Sequence, residues 1–244
     1  TEPIEQTAFT QSHSKWADIW AQFRHHKGAL FGGVLFILIV ALVMLGPLFW
    51  HLEANTIDIR ARNQGASWAH PLGTDQLGRD TFARLIAGGQ TSISVGLTAM
   101  ILSLFLGSLI GVLAGFYKRL DGLLMRMTDM FLSLPLLPLL LVMMLLFRDL
   151  LSQSFGPERG MFILIVFAIG ITSWMPTARI VRADVLAIKE REFILAARSV
   201  GLGDAALILR HILPNVFSPI MVSATLGIAN AIITESALSF LGLG

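Results

Sequence analysis

Apolar residues fall in five long blocks along the chain, and polar stretches separate these blocks. The blocks cover about residues 29–50, 91–117, 123–147, 161–176 and 216–236. A helix of about 20 apolar residues crosses the roughly 30 Å hydrocarbon core of a bilayer, so the pattern predicts five transmembrane helices. The fourth block is short for a span, and its helix is expected to continue past Pro176 with a kink.

The overall composition agrees with a membrane protein. Hydrophobic residues make up 55% of the 244 residues and charged residues only 14%, whereas about 25% of a soluble domain is charged. The predicted fold class is therefore all-α integral membrane. The chain has no cysteine, which excludes disulfides, thiolate metal sites and cysteine nucleophiles. A net charge of +2 is too small to indicate nucleic acid as a partner.

The polar segment ahead of the first span divides into two parts. Residues 1–14 are predicted to be a disordered tail, and residues 15–28 a helix lying in the membrane interface. A helix packed on protein outside the membrane is the alternative for the second part. The apolar residues at helical spacing in that part are Trp16, Ile19, Trp20 and Phe23.

The rest of the chain reads as a first span at 29–50, an external loop at 51–88 and a transmembrane domain at 89–244. Of the 18 lysine and arginine residues, twelve flank the spans on one side and six on the other. Four of those six lie in the 51–88 loop, where acidic residues balance them. Because basic residues favour the cytoplasmic side, the N-terminus is predicted to be cytoplasmic and the 148–160 loop external.

Two features of the spans could be structural or functional. In the second span, small residues at every fourth position would let another helix approach closely; these are Ala99, Ser103, Gly107, Gly111 and Gly115. Packing is expected there, with pore lining as the alternative. Glu235 is the acid nearest the interior of a span, and we expect a solvated or hydrogen-bonded structural residue near the outer face, with a proton relay as the alternative.

Sequence motifs for chemistry are few. The external stretch "HPLGTDQLGRD" at residues 70–80 suits an ordered loop with turns, ion pairs and helix caps. A metal site formed by His70, Asp75 and Asp80 is the weaker interpretation. No GxxxxGK[ST] phosphate loop and no HExxH motif occurs. We therefore predict no catalytic, cofactor-binding or metal-binding residues in this chain.

The polar stretch at residues 189–214 lies between two spans and has an unusual degree of organisation. Four of its residues are spaced to share one helical face: Phe193, Ala196, Ala197 and Val200. Gly201 would permit a left-handed turn that ends this helix, and Asp204 could cap a second helix that stops at Pro214. Such an element fits a groove on a cytoplasmic partner, and an ordinary interfacial loop is the alternative.

The same stretch resembles the cytoplasmic signature of bacterial ABC-importer permeases, which is Glu-Ala-Ala, three residues, Gly, nine residues and Ile-x-Leu-Pro. Ala196-Ala197, Gly201 and Leu213-Pro214 fall in register with it. Leu195 stands where Glu is usual, and His211 takes the Ile position.

Three further segments resemble the dipeptide, oligopeptide and nickel branch of these permeases, and in particular its C-type subunit. They are "HPLGTDQLGRD", "RHILPN" and "ALSFLGLG". The resemblance implies the transmembrane domain of a type I importer, with five spans present of an expected six, so a last span would be lacking. It implies a multi-pass protein of the bacterial inner membrane and a translocation subunit that is not itself an enzyme.

The resemblance also implies the partners. These are a homologous second permease, one or two cytoplasmic ATPase subunits that bind ATP and Mg, an external solute-binding protein and membrane lipid, with no nucleic acid. The 192–201 helix would be the coupling helix seated on an ATPase, driving alternating access. The implied coupling residues are Glu192, Phe193, Ala196, Ala197, Arg198, Val200 and Gly201.

The transported solute is not encoded in any of these motifs. The resemblance makes a di- or oligopeptide the leading expectation, with nickel or another small solute as alternatives. Polar residues of the fifth span that could line the pathway are Ser223, Thr225 and Asn230. A secondary transporter is the alternative function, and it would require buried ion-coupling groups.

Overall fold

The structure, a computed structural model, describes Arg24 and residues 26–242. The predicted tail at 1–14 lies outside the described residues, as does most of the predicted interfacial helix at 15–28. We label the described α-helices in chain order: α1 (Lys27–Phe49), α2 (Thr81–Phe116), α3 (Lys118–Leu132), α4 (Leu136–Phe155), α5 (Pro157–Thr172), α6 (Trp174–Lys189), α7 (Glu192–Ser199), α8 (Asp204–Leu207) and α9 (Leu213–Phe240). A π-helical turn, Ile208–Ile212, joins α8 to α9.

The prediction of an all-α membrane protein with five spans is confirmed. Five helical stretches in the described part of the chain are long and apolar enough to cross a membrane. They are Lys27–Phe49, Thr81–Phe116, Leu136–Phe155, Pro157–Lys189 and Asp204–Phe240. The chain divides into two compact units, Thr1–Gln90 and Thr91–Gly244.

In the first unit, Asp80 organises the end of the external loop. Its side chain is only 3% exposed and caps the start of α2 by accepting a 2.6 Å hydrogen bond from the Ala83 amide. The other carboxylate oxygen lies 2.7 Å from His70 Nδ1, and the Trp50 indole donates to Asp80 Oδ1 at 3.3 Å. The predicted ordered loop with caps and ion pairs is therefore present at residues 70–80.

A second carboxylate, Asp75, holds the turn just before α2. It accepts backbone hydrogen bonds from Leu77 and Arg79 at 2.8 and 3.0 Å and forms ion pairs with Arg79 and Arg84 at 2.8 and 2.7 Å. Desolvation raises the pKa of Asp75, but the hydrogen bonds and the Arg79 charge together outweigh it. The net effect lowers the pKa from 3.8 to about 2.

We expect the 70–80 loop to remain ordered in acid until about pH 2. Because the folded-state pKa of Asp75 is depressed, its contribution to stability is complete above pH 3.8 and is lost as the pH falls towards 2. Pepsin digestion of the purified chain between pH 4 and pH 2 measures this. The Asp75→Asn variant, which lacks the charge, should be cut in the loop already at pH 4. Equal cutting of both chains at pH 4 would contradict the prediction.

In the second unit, α2 and α6 pack at close range along the predicted stripe of small residues. A side chain placed on Gly107 would lie 2.7 Å from the carbonyl oxygen of Trp174, and one on Gly115 would lie 2.7 Å from Val185 Cβ. Ala99 and Ser103, from the same stripe, are completely buried. The packing interpretation of the stripe is confirmed by these contacts.

The predicted bounds of the third span, 123–147, are wrong. Residues 118–132 form the separate helix α3, and the span is α4, which begins only after Pro135. Helix α3 is amphipathic, and ion pairs of Asp121 with Arg182 and of Asp129 with Arg179 attach its charged face to α6. Because the apolar residues of α3 continue the hydrophobic pattern of α4, the predicted span begins too early in the sequence. The hydrogen bond from Arg182 holds the pKa of Asp121 below its ordinary value.

The other two expectations for the spans hold with one adjustment. The fourth span does continue beyond Pro176 to Lys189, but the break between α5 and α6 falls at Ser173. Glu235 is hydrogen-bonded, since the hydroxyls of Ser92 and Ser239 each donate to it at 2.7 Å. Its exposure of only 3% selects the hydrogen-bonded form of that expectation over the solvated one.

Candidate coupling interface

The short helix α7 follows α6 after a sharp change of direction. Glu190 ends α6 in a helical conformation, and Arg191 is extended, with φ −71° and ψ 145°. Glu192 lies in the first turn of α7 and Arg198 in the last. An acid at the N-terminus and a base at the C-terminus both interact favourably with the helix dipole, which helps a helix of only eight residues to form.

The C-terminus of α7 is closed by a Schellman motif at Gly201. The Gly201 amide donates to the Arg198 carbonyl at 3.0 Å, and the Leu202 amide donates to the Ala197 carbonyl at 3.2 Å. Gly201 has φ +88°, the left-handed conformation that side chains disfavour. A side chain at this position would meet no described atom within 4 Å, so the backbone conformation alone favours glycine.

Ile194 anchors α7 to the membrane helices. Its side chain is completely buried in an apolar cluster with residues from α2, α6, α8 and α9. The other buried members of this cluster are Val112, Phe116, Val181, Val185, Leu207, Ile212, Val216 and Ile220. Because one cluster joins these elements, a displacement of α7 would be passed to α6 and α9.

The opposite surface of α7 is exposed and partly apolar. Phe193 is 45% exposed and Val200 is 87% exposed, and Ala196 beside them is also exposed. Among the remaining predicted coupling residues, Glu192, Arg198 and Gly201 are exposed. Neighbouring exposed apolar side chains outside the spans are typical of a surface that binds a partner.

One part of the sequence interpretation of α7 needs correction. Ala197 was expected on the same face as Phe193 and Ala196, but it is half-buried and packs against the Ile194 cluster. The anchor itself, Ile194, was missed. Its spacing of three residues from Ala197 would have indicated an inward-facing pair.

Several side chains around α7 have specific contacts with neighbouring elements. The Arg198 guanidinium lies 5.7 Å from the ring centre of Phe116 at the end of α2, a cation–π distance. The Phe193 ring lies 6.4 Å from the His211 ring. Lys189 donates to the Gly115 carbonyl at 2.9 Å, near the last carbonyl groups of α2, where a positive charge is favourable.

Replacing Ile194 with alanine is expected to release α7 from the membrane helices. Truncating a buried isoleucine costs about 2–5 kcal/mol, whereas Leu195→Ala, on the exposed neighbour, should cost less than about 0.5 kcal/mol. Hydrogen exchange of the α7 amides in detergent measures the difference. Equal protection of α7 in the two variants would show that Ile194 is not the anchor.

The structure separates the three residues predicted to line the pathway. Ser223 and Asn230 border a cavity of about 670 Å³ between α9 and the junctions of α3 with α4 and α5 with α6. Thr225 does not line this cavity; its hydroxyl donates to the Met221 carbonyl of its own helix at 3.0 Å.

Comparison with known proteins gives consistent results across the chain. Residues 103–244 match the model of the "binding-protein-dependent transport system inner membrane component" family. Residues 14–66 match the "N-terminal TM domain of oligopeptide transport permease C".

The chain is similar to several curated proteins. It is 35% identical to the oligopeptide transport system permease protein OppC of Bacillus subtilis over 235 residues, which is 96% of this chain and 73% of that protein. It is 39% identical over 224 residues to proteins named "Putative peptide permease protein" in Brucella abortus and Brucella suis, covering 91% of this chain and 70% of each relative.

Proposed function

The chain belongs to the binding-protein-dependent transport system inner membrane components, the permeases of ABC importers, and we propose that it is the permease subunit of a peptide importer. Its fold is the transmembrane domain of a type I importer. Peptide is proposed as the solute because the relatives named above are oligopeptide and peptide permeases. A permease of this kind carries no catalytic residue of its own, and ATP and Mg would bind to its partners.

The exposed surface of α7 would be the surface that receives force from an ATPase. An exposed apolar surface is formed by Phe193, Ala196 and Val200. This surface could enter a groove of a cytoplasmic protein. Glu192 and Arg198 would set the orientation through charge, and Gly201 would fix the end of the helix. Ala197 would act from the inner side, by holding α7 against the Ile194 cluster.

Alternating access would follow from the rigid connection of α7 to the spans. When ATP closes the two ATPase subunits, α7 would move with its docking groove. The Ile194 cluster joins α7 to α2, α6 and α9, so these helices would tilt together. Tight packing transmits such movements because a filled core does not deform continuously.

The proposed assembly has a defined sidedness. A homologous second permease would complete the pathway, one or two ATPases would bind at α7, and an external solute-binding protein would deliver the peptide. The basic residues around α3 and α6–α8 favour the cytoplasm for that end of the spans, and the N-terminus would then be cytoplasmic too. The protein would thus be multi-pass in the bacterial inner membrane, surrounded by lipid.

The observation that carries this proposal is α7, a capped helix anchored by Ile194 with an exposed apolar surface, in a chain of the permease family. Purification of the tagged chain in mild detergent should recover the second permease and the ATPase subunits. The complex in liposomes, with the binding protein added, should import a labelled tripeptide only with ATP. Peptide uptake by the chain alone, driven by a proton gradient, would instead establish a secondary transporter.

A further inference from the structure

The cavity beside α9 lies at two breaks between helices and at a proline within α9. Leu134 borders it between α3 and α4, Ser173 borders it between α5 and α6, and Pro219 borders it within α9. In the described part of the chain, no side chain caps the first turn of α4 or of α6. Interrupted helices leave backbone N–H and C=O groups without helical partners, and transporters form substrate sites at such interruptions.

The lining of this cavity is apolar with a few polar groups, and none of the described residues that form it has an ionisable side chain. The polar side chains are hydroxyls and one carboxamide, and they include Thr177, Ser223 and Asn230. A volume of about 670 Å³ falls within the roughly 300–1,000 Å³ of small-molecule sites, which are also mostly apolar with few polar groups. An ionised group without a partner would be disfavoured in such surroundings.

Ser223 brings unused hydrogen-bonding capacity to this lining. The residue is 9% exposed, and its hydroxyl is buried with no hydrogen-bond partner among the described residues. Buried hydroxyls in proteins are normally paired. Hydroxyls can both donate and accept, as can the carboxamide of Asn230, so these side chains can bond to either the N–H or the C=O of an amide.

We propose that this cavity contacts the transported peptide through its backbone amides and uncharged side chains, with Ser223, Asn230 and the interrupted helix α5–α6 as the polar contacts. The inference rests on the proposed function, since it names the site and the chemistry of the peptide in that permease. The cavity would then discriminate poorly between uncharged peptide sequences, because all peptides have backbone amide groups.

The absence of cysteine from the chain provides a direct test in the complete importer. Single variants Ser223→Cys and Asn230→Cys introduce a thiol at the lining, and Thr225→Cys introduces one on the same helix outside it. Labelling by N-ethylmaleimide during ATP turnover is followed by mass spectrometry of this chain, with and without Ala-Gln-Ala. At ten times its half-saturating concentration, the peptide should slow labelling about tenfold at 223 and 230 and leave 225 unchanged.

A charge variant tests the proposed chemistry separately. Asn230→Asp keeps the shape of the side chain and adds a negative charge to the neutral lining. Because like charges repel, the uptake ratio of Ala-Gln-Ala to Ala-Glu-Ala should rise about tenfold over the unmodified complex. Thr225→Asp serves as the control and should leave the ratio unchanged.

The outcomes separate this inference from the proposed function. If the unmodified complex imports Ala-Gln-Ala but the peptide protects neither 223 nor 230, the cavity is not a contact site and the permease function stands. Protection without a change in the Gln-to-Glu ratio would overturn the proposed neutral chemistry. If the unmodified complex imports no peptide, both proposals are overturned.

Discussion

Replacing Gly201 with leucine is expected to lower ATP-driven uptake about 5- to 30-fold while the chain still inserts and assembles. At φ +88° a residue with a side chain costs about 1–2 kcal/mol more than glycine, and a cost of this size shifts a two-state equilibrium by that factor. The equilibrium concerned is that between α7 ending in its Schellman motif and α7 unwound at its end. ATP hydrolysis by the partner should continue, because the change uncouples the two activities.

The matched variant for this prediction is Gly201→Asn. Asparagine adopts the left-handed conformation more readily than leucine, and no atom within 4 Å would obstruct either side chain. Asparagine should therefore retain most of the uptake. The same uptake in the leucine variant as in the unmodified chain would refute a coupling role for this turn.

Replacing Gly111 with isoleucine is expected to prevent α2 from packing against α6. A side chain there would lie 2.7 Å from the Ala178 carbonyl oxygen and 2.8 Å from Val181 Cβ. Neither a backbone oxygen nor a buried Cβ can move without separating the two helices, and overpacking of this kind costs about 1–3 kcal/mol, occasionally more. We expect a large loss of folded chain and a lower unfolding temperature in detergent.

Gly88→Ile is the control on the same helix, because a side chain at Gly88 would meet no atom within 4 Å. Its unfolding temperature should stay close to that of the unmodified chain. Comparable destabilisation by the two substitutions would mean that the α2–α6 contact is not the reason for the small residues of the stripe.

The features that were predictable from sequence are those produced by a local pattern. Apolar blocks of sufficient length identified the spans, and a four-residue spacing of small side chains identified the surface of α2 around Gly111 that packs against another helix. Gly201 was identified because few residues other than glycine end a helix in the left-handed conformation. Each of these depends on neighbours along the chain, which the sequence displays directly.

The features that were missed depend on contacts between distant segments. The boundary at Pro135 was obscured because the apolar side of α3 continues the pattern of α4, while ion pairs to α6 fix α3 as a separate helix. Ile194 is an anchor only because distant residues form its apolar cluster, and the most distant of them, Val112, lies 82 positions earlier in the sequence. That Ser223 lines the cavity and Thr225 does not likewise depends on how α9 packs against the α3–α4 and α5–α6 junctions.

The proposed coupling role of α7 is tested most directly by crosslinking from its C-terminal cap residue, Val200, which is 87% exposed. A photoactivatable maleimide on Val200→Cys, in a chain that otherwise has no cysteine, should crosslink to an ATPase subunit of the assembled importer, with a yield that changes when ATP binds. The same reagent on Ser154→Cys, at the other end of α4–α6, should not reach that subunit. An importer that takes up peptide with ATP yet gives no ATPase crosslink from position 200 would contradict the coupling role.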